Sequence, residues 1–247
     1  MTGQGTMVIS GGARGLGAVI ARRALDQGYR AVLTGRQPTA DLDELGRYGD
    51  VSYQRVDTRD GGGLAELFAG IDDLAAAVAN AAVYRGGSVV ELSEQHWREV
   101  IDINLTGSFL FGQAAARRFV ETGRDGGIVF VGTWAQQVPD WETGVYSASK
   151  AGVTMLAKTM ALELAERGVR VNVVAPGIVG AGMAARRIDT DAAYAARARR
   201  TIPLGRLQTA DEVADATLFL CSPAASYLTG SVLLADGGAS LRPGGHP

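Results

Sequence analysis

Short β-rich runs, several of them nearly continuous in apolar residues, alternate along this chain with longer segments in which apolar side chains recur at helical spacing. The runs fall at 6–10, 31–34, 51–55, 75–79, 127–131, 169–174 and 231–235. Ile128-Val129-Phe130-Val131 has no interleaved polar residue. That is the pattern of a strand with both faces covered. The helical segments fall at 16–27, 64–69, 93–121, 144–167 and 210–221, with a break predicted near Asn104 in the third. Alternation of this kind predicts right-handed βαβ units, and so an α/β fold with about seven parallel strands and helices on both faces.

No internal repeat and no Pro/Ser-rich linker divides the chain. The expectation is one doubly wound, Rossmann-like domain over residues 1–247. Segment 181–201 lies between a strand and the last helix and carries Arg186, Arg187, Arg197, Arg199 and Arg200. It reads either as a helical lid or as a solvated basic face. The tail 242–247 is expected to fray.

Composition narrows the function classes. The 247 residues carry 24 basic and 26 acidic side chains, a net charge of −2 that does not suit nucleic acid. One cysteine, Cys221, rules out an internal disulfide and lies on an apolar helical face. The two histidines, His96 and His246, are far apart, which disfavours a metal site or a Ser-His-Asp hydrolase. No run is long enough to span a membrane and Met1–Gly5 lacks a charged leader, so the expectation is a cytoplasmic protein without membrane partners.

Two motifs carry chemistry. Ser10-Gly11-Gly12-Ala13-Arg14-Gly15-Leu16-Gly17 follows the first predicted strand and opens the first helix. Glycines there let backbone N–H groups approach a pyrophosphate, and the helix N-terminus favours its charge. At the end of the second strand stands Arg36, with no acid beside it, and Arg14 lies in the loop. Guanidinium groups at these places favour a cofactor 2′-phosphate, hence NADP(H). The second motif is Tyr146-x-x-x-Lys150, one of whose members is one of only two lysines in the chain. Residues four apart share a helix face. A fixed ammonium beside a phenol of pKa ~10 is expected to lower that pKa and make it a proton carrier.

With these residues assembled, the chain resembles the short-chain dehydrogenase/reductase family over roughly residues 6–238. The glycine loop looks like the family's T-G-x-x-x-G-x-G with Ser10 in place of Thr. Asp57 stands where the family holds the adenine ring, Asn80-Ala81-Ala82 matches its N-A-G element, and Pro176-Gly177, Val179 and Asp236-Gly237-Gly238 match later landmarks. The resemblance implies that Tyr146 exchanges a proton with the substrate oxygen. It implies that Lys150 holds the nicotinamide ribose, and that Asn104 positions a water relaying protons to Lys150. It also places the family's carbonyl-binding Ser at Thr133. Thr133 keeps the hydroxyl but adds a methyl, and Ala181 stands where the family usually has a Thr.

The expectation is therefore an NADP-dependent carbonyl reductase or alcohol dehydrogenase, the alternative being a non-catalytic NADP-binding regulator on the same fold. The resemblance places Tyr84, Trp134, Gln136, Gln137, Trp141 and Met183 around the substrate, a small carbonyl or alcohol of flat or apolar shape. Arg124 and Arg167 raise the possibility of a carrier-bound acyl thioester. A homotetramer or homodimer is expected through the two long helices ending near Glu121 and Arg167.

Overall fold

A computed structural model of the chain describes residues 4–182, 188, 190 and 192–241. Seven parallel strands form one sheet: β1 (Thr6–Ser10), β2 (Arg30–Gly35), β3 (Val51–Arg55), β4 (Leu74–Ala79), β5 (Gly126–Val131), β6 (Val169–Pro176) and β7 (Val232–Ala235). Their order across the sheet is β3-β2-β1-β4-β5-β6-β7. The chain winds outward from β1 to β3, then returns to place β4 on the other side of β1. Connections from β1 and β4 therefore leave in opposite directions, and a crevice opens at their carboxyl ends.

Each central strand divides its residues between two cores. Val8, Ala77, Ile128, Phe130, Val171 and Val173 face α3 (Gly61–Ala69), α5 (Gly107–Thr122) and α6 (Gly144–Leu164). Met7, Ile9, Ala76, Val78, Val129 and Val174 face α1 (Gly15–Asp26) and the helix at Ala210–Cys221. This period-2 division is what a sheet covered on both faces imposes. On the first face Phe68 and Phe111 meet edge to face, with centroids 5.3 Å apart. Truncating either buried ring costs about 3–5 kcal/mol.

The predicted break near Asn104 is a widened turn instead. Helix α4 (Glu94–Val100) passes into a π-helical stretch, Ile101–Thr106, and on into α5. The wider turn keeps the helix continuous and directs the Asn104 amide onto the backbone of Val83, where it donates to the carbonyl at 2.9 Å and accepts from the N–H at 2.8 Å. π-Turns of this kind cluster at functional sites. Short α2 (Asp43–Gly46) was not foreseen, and α7 (Ala192–Thr201) realises the helical part of segment 181–201. Tail residues 242–247 lie outside the described residues.

The C-terminus of α8 (Ala210–Cys221) is closed by a single side chain. The Arg170 guanidinium, projecting from β6, donates to the carbonyls of Leu220, Ala225, Cys221 and Ser222 at 2.7–3.2 Å. One cation thus reaches Leu220 and Cys221 at the negative end of the helix, and also Ser222 and Ala225 just beyond it, whose carbonyls accept from the N–H groups of Ala225 and Leu228 as well. Arg170→Met is expected to lower stability by roughly 2–4 kcal/mol, and Arg170→Lys to recover only part, because an ammonium cannot span all four carbonyls. Chemical denaturation checks this; an unchanged midpoint for the Met variant would show that water replaces the guanidinium without loss.

Candidate active site

A cleft of about 830 Å³ runs along the carboxyl edge of the sheet. Its depth is set where β1 meets β4. The buried Ser10 hydroxyl accepts from the backbone N–H groups of Asn80 and Ala81, both at 3.0 Å. In return the Asn80 amide donates to the carbonyls of Ser10 and Gly11 at 3.0 and 3.3 Å. Ser10 thus lies behind the loop as a brace, while Asn80 both braces and lines the cleft.

The glycine loop passes in front of that brace. A Cβ at Gly17 would collide with the Gly11 carbonyl oxygen and stand 2.8 Å from the Asn80 amide, so α1 can start this close only with glycine there. Helix α1 has no side-chain cap at Arg14, which leaves its first-turn N–H groups for a ligand. Gly11, Arg14, Gly15, Leu16 and Gly17 all line the cleft, as do Arg36 and Asp57 beyond β2 and β3. An uncapped helix N-terminus behind glycines, with two guanidinium groups on the same cleft, fits an anionic dinucleotide. Arg59 holds Asp57 by a 2.8 Å ion pair, and its hydrogen bonds keep that carboxyl below the usual carboxylate range. Sequence reasoning missed Thr34, Gln37, Thr39, Tyr53 and Thr58, which also line this end. Their place just past the carboxyl ends of β2 and β3 was the available signal.

Helix α6 carries both Tyr146 and Lys150. Lys150 is 2% exposed, and its ammonium donates to the Val131 carbonyl at 2.7 Å. Burial pushes it down to about 8. The Tyr146 phenol, at the same cleft, is pushed up to about 12, first by burial and then by Tyr84 and Tyr194 nearby. The expected lowering of the phenol by Lys150 is thus reversed in this structure. The ammonium stands 5.9 Å from the phenol ring centroid and donates to Val131, and burial is the largest cause of the phenol's rise. Asn104 is fully buried behind the cleft, where it clasps Val83 and reaches Ser149 at 3.3 Å.

Thr133 opens a short 3₁₀ turn, Trp134–Gln136, directly after β5. Its Oγ accepts from the Ala135 N–H at 3.4 Å, which leaves its own proton for another acceptor. Pro176, Gly177, Val179 and Ala181 form the wall from β6 onward. Tyr84, Trp134 and Trp141 line the other end, joined by Tyr194, Asp140 and Thr143, which the sequence did not single out. Tyr84 packs edge to face on Tyr146 at 5.5 Å and donates to the Glu142 carbonyl at 3.0 Å. Trp134 also packs against Ile178, Ala198 and Ile202, so it belongs to a small third core as well as the cleft. Gln136 and Gln137 do not line the cleft. Met183, Arg186 and Arg187 lie outside the described residues. No helix among the described residues is long and apolar enough to cross a membrane.

Comparison with known proteins agrees with this geometry. A family model described as "Enoyl-(Acyl carrier protein) reductase" matches residues 11–240. A 3β-hydroxysteroid dehydrogenase of Eggerthella lenta is 35% identical, over 97% of this chain and 95% of its own. A short-chain type dehydrogenase/reductase from Mycobacterium ulcerans superposes with a TM-score of 0.90 at 28% identity, covering 97% of this chain and 90% of that one. A putative 2-deoxy-D-gluconate 3-dehydrogenase from Agrobacterium tumefaciens, solved with NADP bound, gives 0.88 at 31% identity, covering 96% and 97%. Identity and fold together run through nearly the whole sequence, and the chain therefore belongs to the short-chain dehydrogenase/reductase family, as an oxidoreductase acting on CH–OH and C=O groups.

Proposed function

We propose that the protein is an NADP-dependent carbonyl reductase or alcohol dehydrogenase, acting on a ketone or secondary alcohol with Tyr146 as general acid/base. The observation that carries this reading is the buried Tyr146–Lys150 pair, set on the same cleft as the glycine loop. A phenol held near 12 is protonated at neutral pH, the form that can donate to an oxygen gaining negative charge. The free proton of Thr133 suits a second donor to that oxygen. Lys150, whose ammonium donates to the Val131 carbonyl, would hold hydroxyl groups of a ribose and supply positive charge beside the phenol.

The cofactor supplies the hydride when bound. Gly11, Gly15, Leu16 and Gly17 suit its pyrophosphate, Arg14 and Arg36 its 2′-phosphate, and Asp57, Asn80, Pro176, Gly177 and Val179 its remaining length. The chain acts as one catalytic domain, and Tyr194 of α7 borders its cleft. The substrate end is walled by Tyr84, Trp134, Trp141 and Tyr194, which favours a flat, largely apolar carbonyl compound. A free small molecule is favoured over a carrier-bound thioester. Arg124 and Arg167 precede β5 and β6, at the amino edge of the sheet, while the cleft lies at the carboxyl edge.

We further propose that the chain forms a homotetramer or homodimer through α5 and α6. Phe109 and Val120 lie on one face of α5, and Met155 and Leu162 on one face of α6, all exposed at 40–80%. Apolar stripes on two adjacent helices suit burial against a second copy.

Three outcomes test these proposals. Tyr146→Phe is expected to lower kcat for NADPH-driven reduction about 10²–10⁴-fold while NADPH still binds; the panel includes cyclohexanone, a steroid ketone and acetoacetyl thioester. Near-normal turnover by the Phe variant would sink the assignment. Arg36→Ala is expected to raise KM for NADPH roughly tenfold and leave KM for NADH nearly unchanged, as for loss of one charge-assisted phosphate contact. Equal changes for both cofactors would remove Arg36 from the 2′-phosphate. Sedimentation at micromolar concentration is expected to give a dimer or tetramer that Met155→Glu/Leu162→Glu dissociates; a wild-type monomer would refute the assembly.

A further inference from the structure

We infer that Gln136 is a positioning residue that fixes the direction of the Thr133 hydroxyl. The inference rests on the reading of Thr133 as a donor to the substrate oxygen. Thr133 is the first residue beyond the hydrogen-bonded part of β5. The preceding N–H, on Gly132, donates to the Val174 carbonyl of β6 at 2.7 Å. The Thr133 N–H donates instead to the Gln136 side-chain oxygen at 3.1 Å. A β-branched side chain has a stiff χ1, so the orientation of the Thr133 backbone decides where its hydroxyl points. The hydroxyl's own restraint, the 3.4 Å bond from the Ala135 N–H, is long and therefore weak.

Two further observations show that Gln136 is held in this pose for its oxygen. A Cβ on Gly132 would collide with the Gln136 side-chain oxygen and stand 2.8 Å from Val173 Cγ1, so the glycine makes the space the amide occupies. The other half of the amide, Nε2, is buried and has no hydrogen-bond partner among the described residues. Turning the amide over would set its NH₂ group against the Thr133 N–H, donor against donor. The bond to Thr133 thus fixes the amide's orientation and leaves a buried donor unmatched, a penalty that a side chain chosen for packing alone would not carry. Gln136 does not line the cleft, and its side-chain oxygen meets the site through Thr133.

The test is a cycle of variants assayed with NADPH and whichever ketone of the panel above the wild type reduces fastest. Gln136→Met keeps length and removes the acceptor. It is expected to lower kcat about 10–100-fold, with KM for NADPH within about twofold and Tm within about 4 °C of the wild type. Gln136→Glu restores an acceptor and is expected to return kcat to within about threefold. Thr133→Val leaves no hydroxyl to direct, so Thr133→Val/Gln136→Met is expected to be no slower than Thr133→Val alone, within about twofold. Wild-type kcat in Gln136→Met beside a slow Thr133→Val would overturn the inference and leave the Thr133 reading standing. A double variant slowed by the product of the two single losses would also overturn it, as would unfolding of both the Met and Glu variants. Wild-type kcat in Thr133→Val would overturn the reading of Thr133, and the inference with it.

Discussion

The site depends on one topological constraint, the parallel contact between β1 and β4. Chains leaving those strands must part, and the gap between them is open to any ligand that fits. Left alone, such a gap would expose backbone polar groups from two loops. Ser10 and Asn80 prevent this by exchanging side-chain hydrogen bonds with each other's backbone across the strand ends. The brace is compact because Gly11 and Gly17 allow α1 to start against it. The N-terminus of α1 is then left without a side-chain cap, a geometry that suits an anion.

Around that gap the protein accepts burial that is unfavourable for stability. An ammonium and a phenol are both shut away from water, and each is pushed toward its neutral form. The elements that enforce this are packed and hydrogen-bonded. Asn104, on the π-helical turn, pins the loop after β4 at Val83, and Val131 of β5 holds the ammonium. Of the two, only the ammonium is moved toward neutral pH; the phenol is moved away from it, so it stays protonated there.

The two ends of the cleft differ in chemistry. One carries the glycine loop, Arg14 and Arg36 on edges of the sheet that leave charge accessible. The other is walled by aromatic rings, one of which, Trp134, is also tied into a small core with Ile178, Ala198 and Ile202. The aromatic wall is thereby packed against Ala198 of α7.

Much of this was legible in the sequence, because both-face burial writes itself as continuous apolar runs. All seven strands, and the helices around them other than α2, appear within a few residues of their expected places. The glycine loop, Arg36, Tyr146 and Lys150 declared themselves by residue type and spacing, and the structure brings all of them to one cleft. What the sequence could not hold were effects of the surround. The break expected at Asn104 became a π-helical turn, because only the folded chain presents Val83 for the amide to bind. The phenol expected to be lowered by Lys150 is raised instead, since burial and the direction of the ammonium are tertiary facts. Gln136 passed for a pocket residue until its oxygen was seen on the Thr133 N–H. Spacing along a chain tells which groups share a face; how far each is buried, and which way its dipole or charge points, is decided by segments distant in sequence that close around it.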